Sequence, residues 1–280
     1  MARIRVGISG WVYPGWRGDF YPSGLPHRRE LAYAAARVSS IEVNASFYAL
    51  GRPQTYARWR AETPDDFVFA VKGSRYVTHV RRLADTRAAL ANFFASGLLA
   101  LGSKLGPVLW QLPPTLPLDP DAFDAFLRAL PRTTTALAAL AAHHDTKLPA
   151  ERALTVAAAV LPVRHAVEVR HPTFTAPEAA ALAERHGVAL VVADTAGRYP
   201  RIDGCTGDFG YVRLHGDTVL YGGGYDDRAL DAWAERISGW AAQGRDVYAY
   251  FDNDAAGRAP FDAMALQRRL GCGPAAPDTG

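Results

Sequence analysis

Charged and polar residues alternate with apolar residues in several short segments of this sequence. In the segment 165–171, Val167 and Val169 alternate with Glu168 and Arg170. The same alternation recurs in the segments 40–46, 210–215 and 247–252. Because successive side chains of a strand point to opposite faces, each segment predicts a strand with one apolar and one polar face. The polar faces carry groups that bind anions and transfer protons.

If the polar faces surround a single axis, they bring opposite charges together inside the fold. The predicted inward cations are Arg5, Lys72, Arg170 and Arg213. The predicted inward carboxylates are Glu42, Glu168, Asp194 and Asp252. An isolated buried charge costs several kcal/mol, so these groups must pair, be hydrated or bind a ligand. A salt-bridged core explains the deeper residues as well as a ligand does, whereas a ligand better explains the residues near the strand ends.

The residues near the strand ends predict a site for an anion. Arginine binds phosphate and carboxylate groups in a bidentate manner, so we predict an anion site built from Lys72, Arg170 and Arg213. The predicted proton-transferring residues are His215, Glu168, Asp194 and His171. The full predicted ligand-binding set is Lys72, Arg170, Arg213, His79, Asn44, Gln111, Trp11, Tyr225, Asp252 and Asn253. Tyr225 follows three glycines, a pattern that fits a lid and a flexible turn equally well.

Eight apolar runs rich in β-branched and aromatic residues predict strands. The runs are 3–9, 40–46, 67–74, 108–112, 165–171, 189–195, 210–215 and 247–252. The predicted helices are 26–38, 53–62, 83–101, 121–130, 151–160, 177–186, 227–243 and 260–270. This alternation predicts a single α/β barrel of the TIM type, (β/α)8, whose usual size is about 250 residues. An open doubly wound sheet is the alternative, but the sequence has neither a GxGxxG motif after the first strand nor a GxxxxGK[ST] motif.

The connections between the runs add further expectations. The segment 196–208 contains Gly, Pro and Asp residues typical of a loop, so the helix between strands 6 and 7 is expected to be missing. The insertion 132–150 includes an alanine-rich stretch that predicts an extra helix outside the barrel, whose role is open. The barrel domain is predicted to span residues 1–271, and residues 272–280 are predicted to form a disordered tail.

The composition excludes several classes of protein. A net charge of +3 is too small for a module that coats DNA. Two cysteines without CxxC or CxxH spacing disfavour a disulfide framework and a structural zinc site. No apolar run reaches the roughly 18 residues of a membrane span, and the N-terminus lacks the apolar region of a secretory signal. We therefore expect a cytoplasmic protein that does not bind membranes.

Motifs distributed along almost the whole chain resemble those of a known family. They include Gly7-Ile8-Ser9-Gly10-Trp11, Glu42-Val43-Asn44, Gln111-Leu112-Pro113-Pro114, Glu168-Val169-Arg170-His171, Tyr211-Val212-Arg213-Leu214-His215-Gly216 and Phe251-Asp252-Asn253. Together they resemble the YecE-like family, known as domain of unknown function 72. The resemblance implies a TIM-type barrel of unestablished biochemical function, distantly similar to the barrel of xylose isomerase and endonuclease IV. This chain departs from the family pattern at Asp252, where the family favours asparagine.

Three functions fit these observations. The leading hypothesis is an enzyme of the hydrolase or lyase class. It would bind a small anionic substrate, for example one that bears a phosphate group, in an arginine-lined cleft at the C-terminal mouth of the barrel. The first alternative is a non-catalytic protein that binds an anion or a nucleic acid. The second is a metal-dependent phosphodiesterase resembling endonuclease IV. Its ligands would be Glu42, Glu168, Asp194 and His215.

The charge pattern argues against a metal-dependent enzyme and against a retaining glycosidase. Arg170 and Arg213 interleave with the candidate metal ligands and would repel a cation, so we expect neither a metal nor a cofactor. A retaining glycosidase needs two carboxyls across the cleft, by family analogy on strands 4 and 7, but those strands offer Gln111 and Arg213. The sequence leaves the oligomeric state open.

Overall fold

The computed structural model describes residues 2–274 and contains one sheet of nine parallel strands. The strands are β1 (Ile4–Ser9), β2 (Ser40–Val43), β3 (Val68–Lys72), β4 (Leu105–Gln111), β5 (His165–Glu168), β6 (Ala189–Leu190), β7 (Val192–Asp194), β8 (Phe209–Leu214) and β9 (Asp246–Phe251). Their order along the sheet is β6-β5-β4-β3-β2-β1-β9-β8-β7. All eight predicted runs contain strand residues, so the prediction of strands is confirmed.

The two ends of this sheet belong to one stretch of chain. β6 pairs with β5 and β7 pairs with β8, and only Val191 separates β6 from β7. The backbone N–H of Val191 donates to the carbonyl of Val167 at 2.9 Å, which continues the pairing with β5. The sheet therefore wraps round into a barrel, and the predicted TIM-type fold is confirmed.

Helices follow most of the strands. They are α1 (Glu30–Ala35), α2 (Ala45–Tyr48), α3 (Pro53–Ala61), α4 (Arg87–Ala95), α5 (Pro120–Ala129), α6 (Thr134–Ala141), α7 (Pro177–Arg185), α8 (Asp227–Ala242) and α9 (Ala259–Leu270). The sixth predicted strand contains β6 and β7, and the seventh overlaps β8. The described chain has no helix between β7 and β8, as predicted. Within residues 2–274, no helix is both long and apolar enough to cross a membrane.

The predicted helix 151–160 is wrong. Only Ala150–Arg152 forms a short 3-10 helix, and the chain then runs without regular structure to β5. The N–H of Leu154 donates to the carbonyl of Ala95 at 2.7 Å, and the N–H of Leu161 donates to the hydroxyl of Thr134 at 3.0 Å. These backbone groups bond to neighbouring elements instead of to one another, so helical periodicity in the sequence was misleading here.

The insertion 132–150 forms the helix α6, which packs on α4. Asn92 of α4 exchanges two hydrogen bonds of 2.9 Å with Asp145, one to the carboxylate and one from the backbone N–H. Asp145 thus attaches the insertion to the outer layer of the barrel. Of the predicted tail 272–280, the structure describes only 272–274, where the N–H of Cys272 donates to Gln267 at 3.2 Å; residues 275–280 lie outside the described part.

The interior of the barrel has an apolar layer and a polar layer. The apolar layer is Ala70, Leu109, Ala166, Ala189, Val191, Ala193, Phe209, Tyr211 and Tyr250. Two positions further along β3, β5 and β8 come Lys72, Glu168 and Arg213, on the same face of each strand. The predicted inward residues therefore form a polar layer towards the C-terminal ends of the strands. Arg5 lies at the opposite end of the barrel, where it pairs with Asp66 at 3.4 Å.

Asp194 does not belong to the polar layer, so the prediction that it points inward is wrong. The residues of this strand that face the axis are Ala189, Val191 and Ala193. Alternation therefore places Asp194 on the outer face, where its carboxylate accepts a hydrogen bond of 3.3 Å from the Tyr225 hydroxyl. It lines a separate cavity with Trp233 of α8. Small side chains face the axis at this point because aromatic rings such as Tyr211 already fill it.

Candidate active-site cleft

A cleft of about 510 Å³ opens where β2, β3, β4, β5 and β9 end. It is lined by Tyr13, Asn44, Phe47, Tyr48, Lys72, His79, Gln111, Arg170, Tyr221, Asp252, Asp254 and Ala255. Lys72 and Gln111 are the last residues of their strands, and Asp252 directly follows β9. The cleft therefore lies at the end of the barrel where enzymes of this fold carry their active sites.

Arg213 lies in the barrel interior and is completely buried. Its guanidinium donates to Glu42 at 2.7 and 3.1 Å, to Glu168 at 2.6 Å and to Asp252 at 2.8 Å. We call Arg213, these three carboxylates and His215 the Arg213 cluster. Because three anions surround one cation at hydrogen-bond distance, the charge of Arg213 is satisfied by the protein itself.

The ion pairs of the Arg213 cluster dominate the ionisation of its members. Burial alone would raise the pKa of Glu168, but Arg170 and Arg213 hold that pKa well below its ordinary value. Burial also raises the pKa of Asp252, and Arg213 and His215 outweigh it, so the net shift is downward. Both carboxylates are therefore ionised at neutral pH.

His215 is also completely buried and does not line the cleft. Arg213 donates to its Nε2 at 3.2 Å, and its Nδ1 lies 3.0 Å from the carboxylate of Asp252. Burial and Arg213 lower the pKa of His215, but Glu168 and Asp252 outweigh them and raise it. The ring of Tyr221 packs edge-on against the imidazole at 5.4 Å. His215 is thus covered by a side chain that does face the cleft.

The Arg213 cluster does not fit a metal ion. Its carboxylates Glu42 and Glu168 point at the guanidinium of Arg213, which occupies the position that a cation would need. Asp194, another of the predicted metal ligands, lines a different cavity. Across residues 2–274, no three His, Cys, Asp or Glu side chains are grouped as a metal site.

Lys72 differs from Arg213 in having no ion-pair or hydrogen-bond partner for its Nζ among residues 2–274. Its side chain is buried to about nine tenths and its Nζ lies 4.7 Å from the centre of the Phe47 ring. Among the described residues, no carboxylate lies within ion-pair distance of this Nζ and no hydrogen bond reaches it. Burial, and then repulsion by Arg213, lower the pKa of Lys72 to about 8, although Glu42 and Glu168 act in the opposite direction.

Two further basic residues lie beside Lys72. Arg170 donates to Glu168 at 2.7 Å and reaches the hydroxyl of Tyr221 at 3.4 Å. Burial, and then repulsion by Arg75 and Arg170, lower the pKa of His79 to about 4, so this imidazole is neutral at pH 7. We call Lys72, His79 and Arg170 the basic wall of the cleft.

An acidic group faces the same cleft. Asp254 is half-buried, and its Oδ1 has no hydrogen-bond partner in residues 2–274. Burial, and then repulsion by the ionised Asp252, raise the pKa of Asp254 to about 8. The neighbouring Tyr13 donates its hydroxyl to the carbonyl of Ser9 at 2.6 Å, and burial and Asp254 raise its pKa. The carboxyl of Asp254 is therefore largely protonated at neutral pH.

Two amides complete the lining. Asn44 donates to the hydroxyl of Ser9 at 2.9 Å, while its buried Oδ1 accepts no hydrogen bond from the described residues. Gln111 is almost fully buried and faces the cleft at the end of β4. Asn44 and Gln111 can therefore bind polar groups of a ligand.

The structure brings six of the predicted site residues to the cleft. These are Lys72, Arg170, His79, Asn44, Gln111 and Asp252. Glu168, Arg213 and His215 are enclosed in the Arg213 cluster, so the predicted anion site loses Arg213. The guanidinium of Arg213 has no exposed surface and cannot reach a molecule in the cleft.

The other predicted site residues lie outside the cleft lining. His171 begins a short 3-10 helix, where its Nδ1 lies 2.9 Å from the Thr173 hydroxyl. Trp11 packs edge-on against Trp59 at 5.0 Å. Each of them stabilises a loop at the C-terminal end of the barrel.

Tyr225 and Asn253 stabilise the loops that follow β8 and β9. The hydroxyl of Tyr225 accepts a hydrogen bond of 3.1 Å from the N–H of Gly216. Asn253 is fully buried and donates to Asp262 at 2.8 Å and to the carbonyl of Gly223 at 3.0 Å. Both side chains therefore hold the loops on which Tyr221 and Asp254 lie.

Asp254 is the main residue that sequence reasoning missed. It follows Asp252 by two positions, beyond the end of β9, where strand alternation no longer predicts the direction of a side chain. Three charged or amide residues in a row, Asp252, Asn253 and Asp254, are a usable signal, because barrel enzymes carry their catalytic residues at the C-terminal ends of the strands.

A family model described as "Protein of unknown function DUF72" matches residues 5–279 of the chain. The chain is 30% identical over 129 residues to UPF0759 protein YecE of Escherichia coli strain K12, covering 46% of this chain and 44% of that protein. It is 29% identical over 116 residues to UPF0759 protein YunF of Bacillus subtilis strain 168, covering 40% of each. These alignments thus span less than half the length of the curated relatives.

Solved structures support the same fold. A DUF72 family protein from Thermotoga maritima MSB8 superposes with a TM-score of 0.75 at 22% identity, covering 96% of this chain and 99% of that one. A DUF72 family protein from Enterococcus faecalis V583 superposes with a TM-score of 0.72 at 15% identity, covering 96% and 95%. Both names state a family of unknown function, and these identities show the fold alone. The chain belongs to the YecE-like family of proteins of unknown function, DUF72.

Proposed function

We propose that this protein is an enzyme of the hydrolase or lyase class that binds a small anionic substrate in the cleft and transfers protons there. The observation that carries the proposal is Lys72, a buried ammonium group that faces the cleft without a partner among residues 2–274. An unpaired buried charge is costly, so a protein that retains one is expected to use it.

The basic wall supports an anionic ligand. Lys72 forms no ion pair with a carboxylate of residues 2–274, whereas Arg170 shares its charge with Glu168. Arg170 also bonds to the hydroxyl of Tyr221 at 3.4 Å, a long contact that a phosphate or carboxylate oxygen can replace. An anion between Lys72 and Arg170 satisfies both cations.

The pKa values of two groups support acid–base catalysis. Burial and neighbouring charges bring the pKa of Lys72 and that of Asp254 each to about 8. Groups with a pKa near the working pH are the most effective proton carriers, because both protonation states are populated. In this proposal Lys72 and Asp254 take the roles that the sequence predicted for His215, Glu168, Asp194 and His171.

The size of the cleft supports a small ligand. Its volume of about 510 Å³ falls in the range of roughly 300 to 1,000 Å³ that is typical of small-molecule sites. Phe47, Tyr48 and Tyr221 provide aromatic walls. A small molecule therefore fits better than a nucleic acid duplex. A cytoplasmic location remains a prediction from the sequence.

Binding of inorganic phosphate, measured by titration calorimetry, tests the proposal. We expect saturable binding at one site, weakened by about tenfold or more in Arg170→Gln, since a charge-assisted hydrogen bond contributes about 1.5 to 3 kcal/mol. Arg228→Gln removes the same charge from an exposed position in α8 and should bind like the parent protein. Equal binding by both variants, or no saturable binding, would overturn the proposal.

A further inference from the structure

We propose that Lys72 is a nucleophile that forms a Schiff base with a carbonyl-bearing anion, such as a keto acid or a keto sugar phosphate. This inference rests on the proposed function, because the basic wall must also hold the anionic group of that substrate. The substrate class is a carbonyl-bearing anion, and the covalent step after binding is formation of an imine with Lys72.

The surroundings of Lys72 are those of a reactive amine. Its side chain is about nine tenths buried, its Nζ lies 4.7 Å from the centre of the Phe47 ring, and the charge of Arg213 opposes its protonation. Lys72 also lines the cleft. A lysine becomes nucleophilic when a nonpolar environment or a neighbouring cation favours its neutral form. Both conditions are met at Lys72, whose pKa of about 8 leaves a usable neutral fraction at pH 7 to 8.

The other two lysines of the chain differ from Lys72 in hydrogen bonding or in exposure to solvent. Lys104 donates its Nζ to the carbonyl groups of Arg60 and Thr63, each at 2.7 Å, so its amine is held by the backbone. Lys147 is exposed to solvent. Lys72 is therefore the lysine of this chain that is both buried and, within residues 2–274, without a hydrogen bond.

Asp254 can supply the proton that Schiff-base formation requires. The lone pair of neutral Lys72 attacks the carbonyl carbon, a C–N bond forms, and the carbonyl oxygen takes a proton from the amine to give a carbinolamine. The Asp254 carboxyl then protonates the hydroxyl, the C–O bond breaks, water leaves and the nitrogen lone pair forms C=N. The products are a protonated imine on Lys72, one water molecule and the Asp254 carboxylate.

The cleft also explains why the carbonyl compound should be an anion. Arg170 lies on the basic wall beside Lys72 and remains charged throughout the reaction, so it can hold a carboxylate or phosphate while Lys72 attacks. The protonated imine keeps the positive charge of Lys72 near Glu168 and Asp252, which stabilises it electrostatically. Schiff-base formation from neutral Lys72 therefore places one positive charge on the imine and one negative charge on Asp254.

Reductive trapping tests this inference on the full chain. The protein is incubated with pyruvate, or with dihydroxyacetone phosphate, and sodium borohydride, and the reduced adduct is located by peptide mass spectrometry. We expect the adduct on Lys72 to exceed that on Lys104 or Lys147 by about tenfold or more. Asp254→Asn should slow adduct formation by about 100-fold, the usual size of a general-acid contribution. Lys147→Met is the matched control and should label normally.

Inorganic phosphate separates the failure of this inference from the failure of the proposed function. Phosphate at saturating concentration should protect Lys72 from both carbonyl compounds. Phosphate binding without an adduct on Lys72 would overturn the Schiff-base inference and leave the anion site standing. An adduct that phosphate does not suppress would contradict a carbonyl-bearing anion as substrate, and the absence of both adduct and binding would overturn both proposals.

Discussion

The barrel contains two buried cations that the protein treats in opposite ways. Arg213 is surrounded by Glu42, Glu168 and Asp252 and has no exposed surface. Lys72, on the same polar layer, has neither an ion pair nor a hydrogen bond on its Nζ within residues 2–274. Both are predicted from the same strand alternation, yet only one of them faces a cavity.

Pairing separates structural from functional charges in this barrel. Breaking a fully paired buried charge leaves its partners uncompensated, so the pairing holds the strands in place. A buried charge without a partner lowers stability, and such a cost is typical of functional sites. Substitution of Arg213 should therefore change the free energy of unfolding more than substitution of Lys72.

Arg213→Met should cause the largest loss of stability. The substitution leaves three buried carboxylates without their shared cation, and removal of one partner from a buried ion pair typically costs about 3 to 5 kcal/mol. Urea unfolding followed by circular dichroism measures the effect. Arg228→Met, an exposed substitution of the same kind, is the control, and an equal loss in both variants would show that the Arg213 cluster is not structural.

Glu168→Gln should cost more stability than His215→Asn. Glu168 accepts from both Arg213 and Arg170, at 2.6 and 2.7 Å, so the variant leaves two guanidinium groups partly unpaired. We expect a loss of about 2 to 4 kcal/mol. His215→Asn keeps a polar group beside Asp252 and should cost about half as much. A larger loss in His215→Asn, by thermal unfolding, would make the histidine the structural centre of the cluster.

Asp254→Asn should raise stability at pH 8 and leave it unchanged near pH 4. The folded-state pKa of Asp254 is raised to about 8. Between pH 4 and 8 the unfolded chain therefore loses this proton while the folded chain keeps it, so the carboxyl lowers stability as pH rises. A shift of about four pKa units at about 1.4 kcal/mol per unit would give more than about 5 kcal/mol, and relaxation of this half-buried carboxyl should reduce the gain at pH 8 to about 2 kcal/mol. Equal pH profiles for both proteins would show that Asp254 ionises normally.

Lys72→Met should have the smallest effect on stability, and a favourable one. Because the folded-state pKa of Lys72 is lowered to about 8, the charge is destabilising below that pH. In the parent protein, stability should rise from pH 8 to about 10.5 as the folded chain releases this proton, and the variant should lack the rise. At pH 7 we expect a gain of about 1 kcal/mol in urea unfolding. A loss of several kcal/mol would place Lys72 among the structural charges.

Strand alternation predicted the barrel and most of its polar layer from the sequence. The method worked for Glu42, Glu168 and Arg213 because each lies inside a strand, where the direction of a side chain follows from its position. It failed for Asp194, because this strand has apolar residues at both alternating sets of positions, so alternation could not show which set faces the axis. The prediction of a helix at 151–160 was wrong because backbone groups of this segment bond to neighbouring elements instead of to one another.

The cleft itself could be predicted only in part. The sequence identified Lys72, Arg170 and Gln111 at strand ends. It could not show that the carboxylates would enclose Arg213 and that Lys72 would form no ion pair within residues 2–274. That outcome depends on which side chains reach one another across the barrel. Asp254 lies on a loop, whose direction depends on contacts such as those of the buried Asn253 with Asp262. Such contacts are not visible in strand periodicity.

The pKa of Lys72 distinguishes an unpaired buried lysine from a paired or solvated one. The chain contains three lysines, so carbon-13 labelling of lysine gives three side-chain signals in an NMR pH titration, and Lys72→Met identifies the one that belongs to Lys72. We expect this signal to titrate with a midpoint near 8, because Lys72 is buried and its Nζ has no partner within the described residues. A midpoint near the ordinary value of about 10.4 would contradict the account, since it would mean that the charge of Lys72 is solvated or paired like that of Arg213.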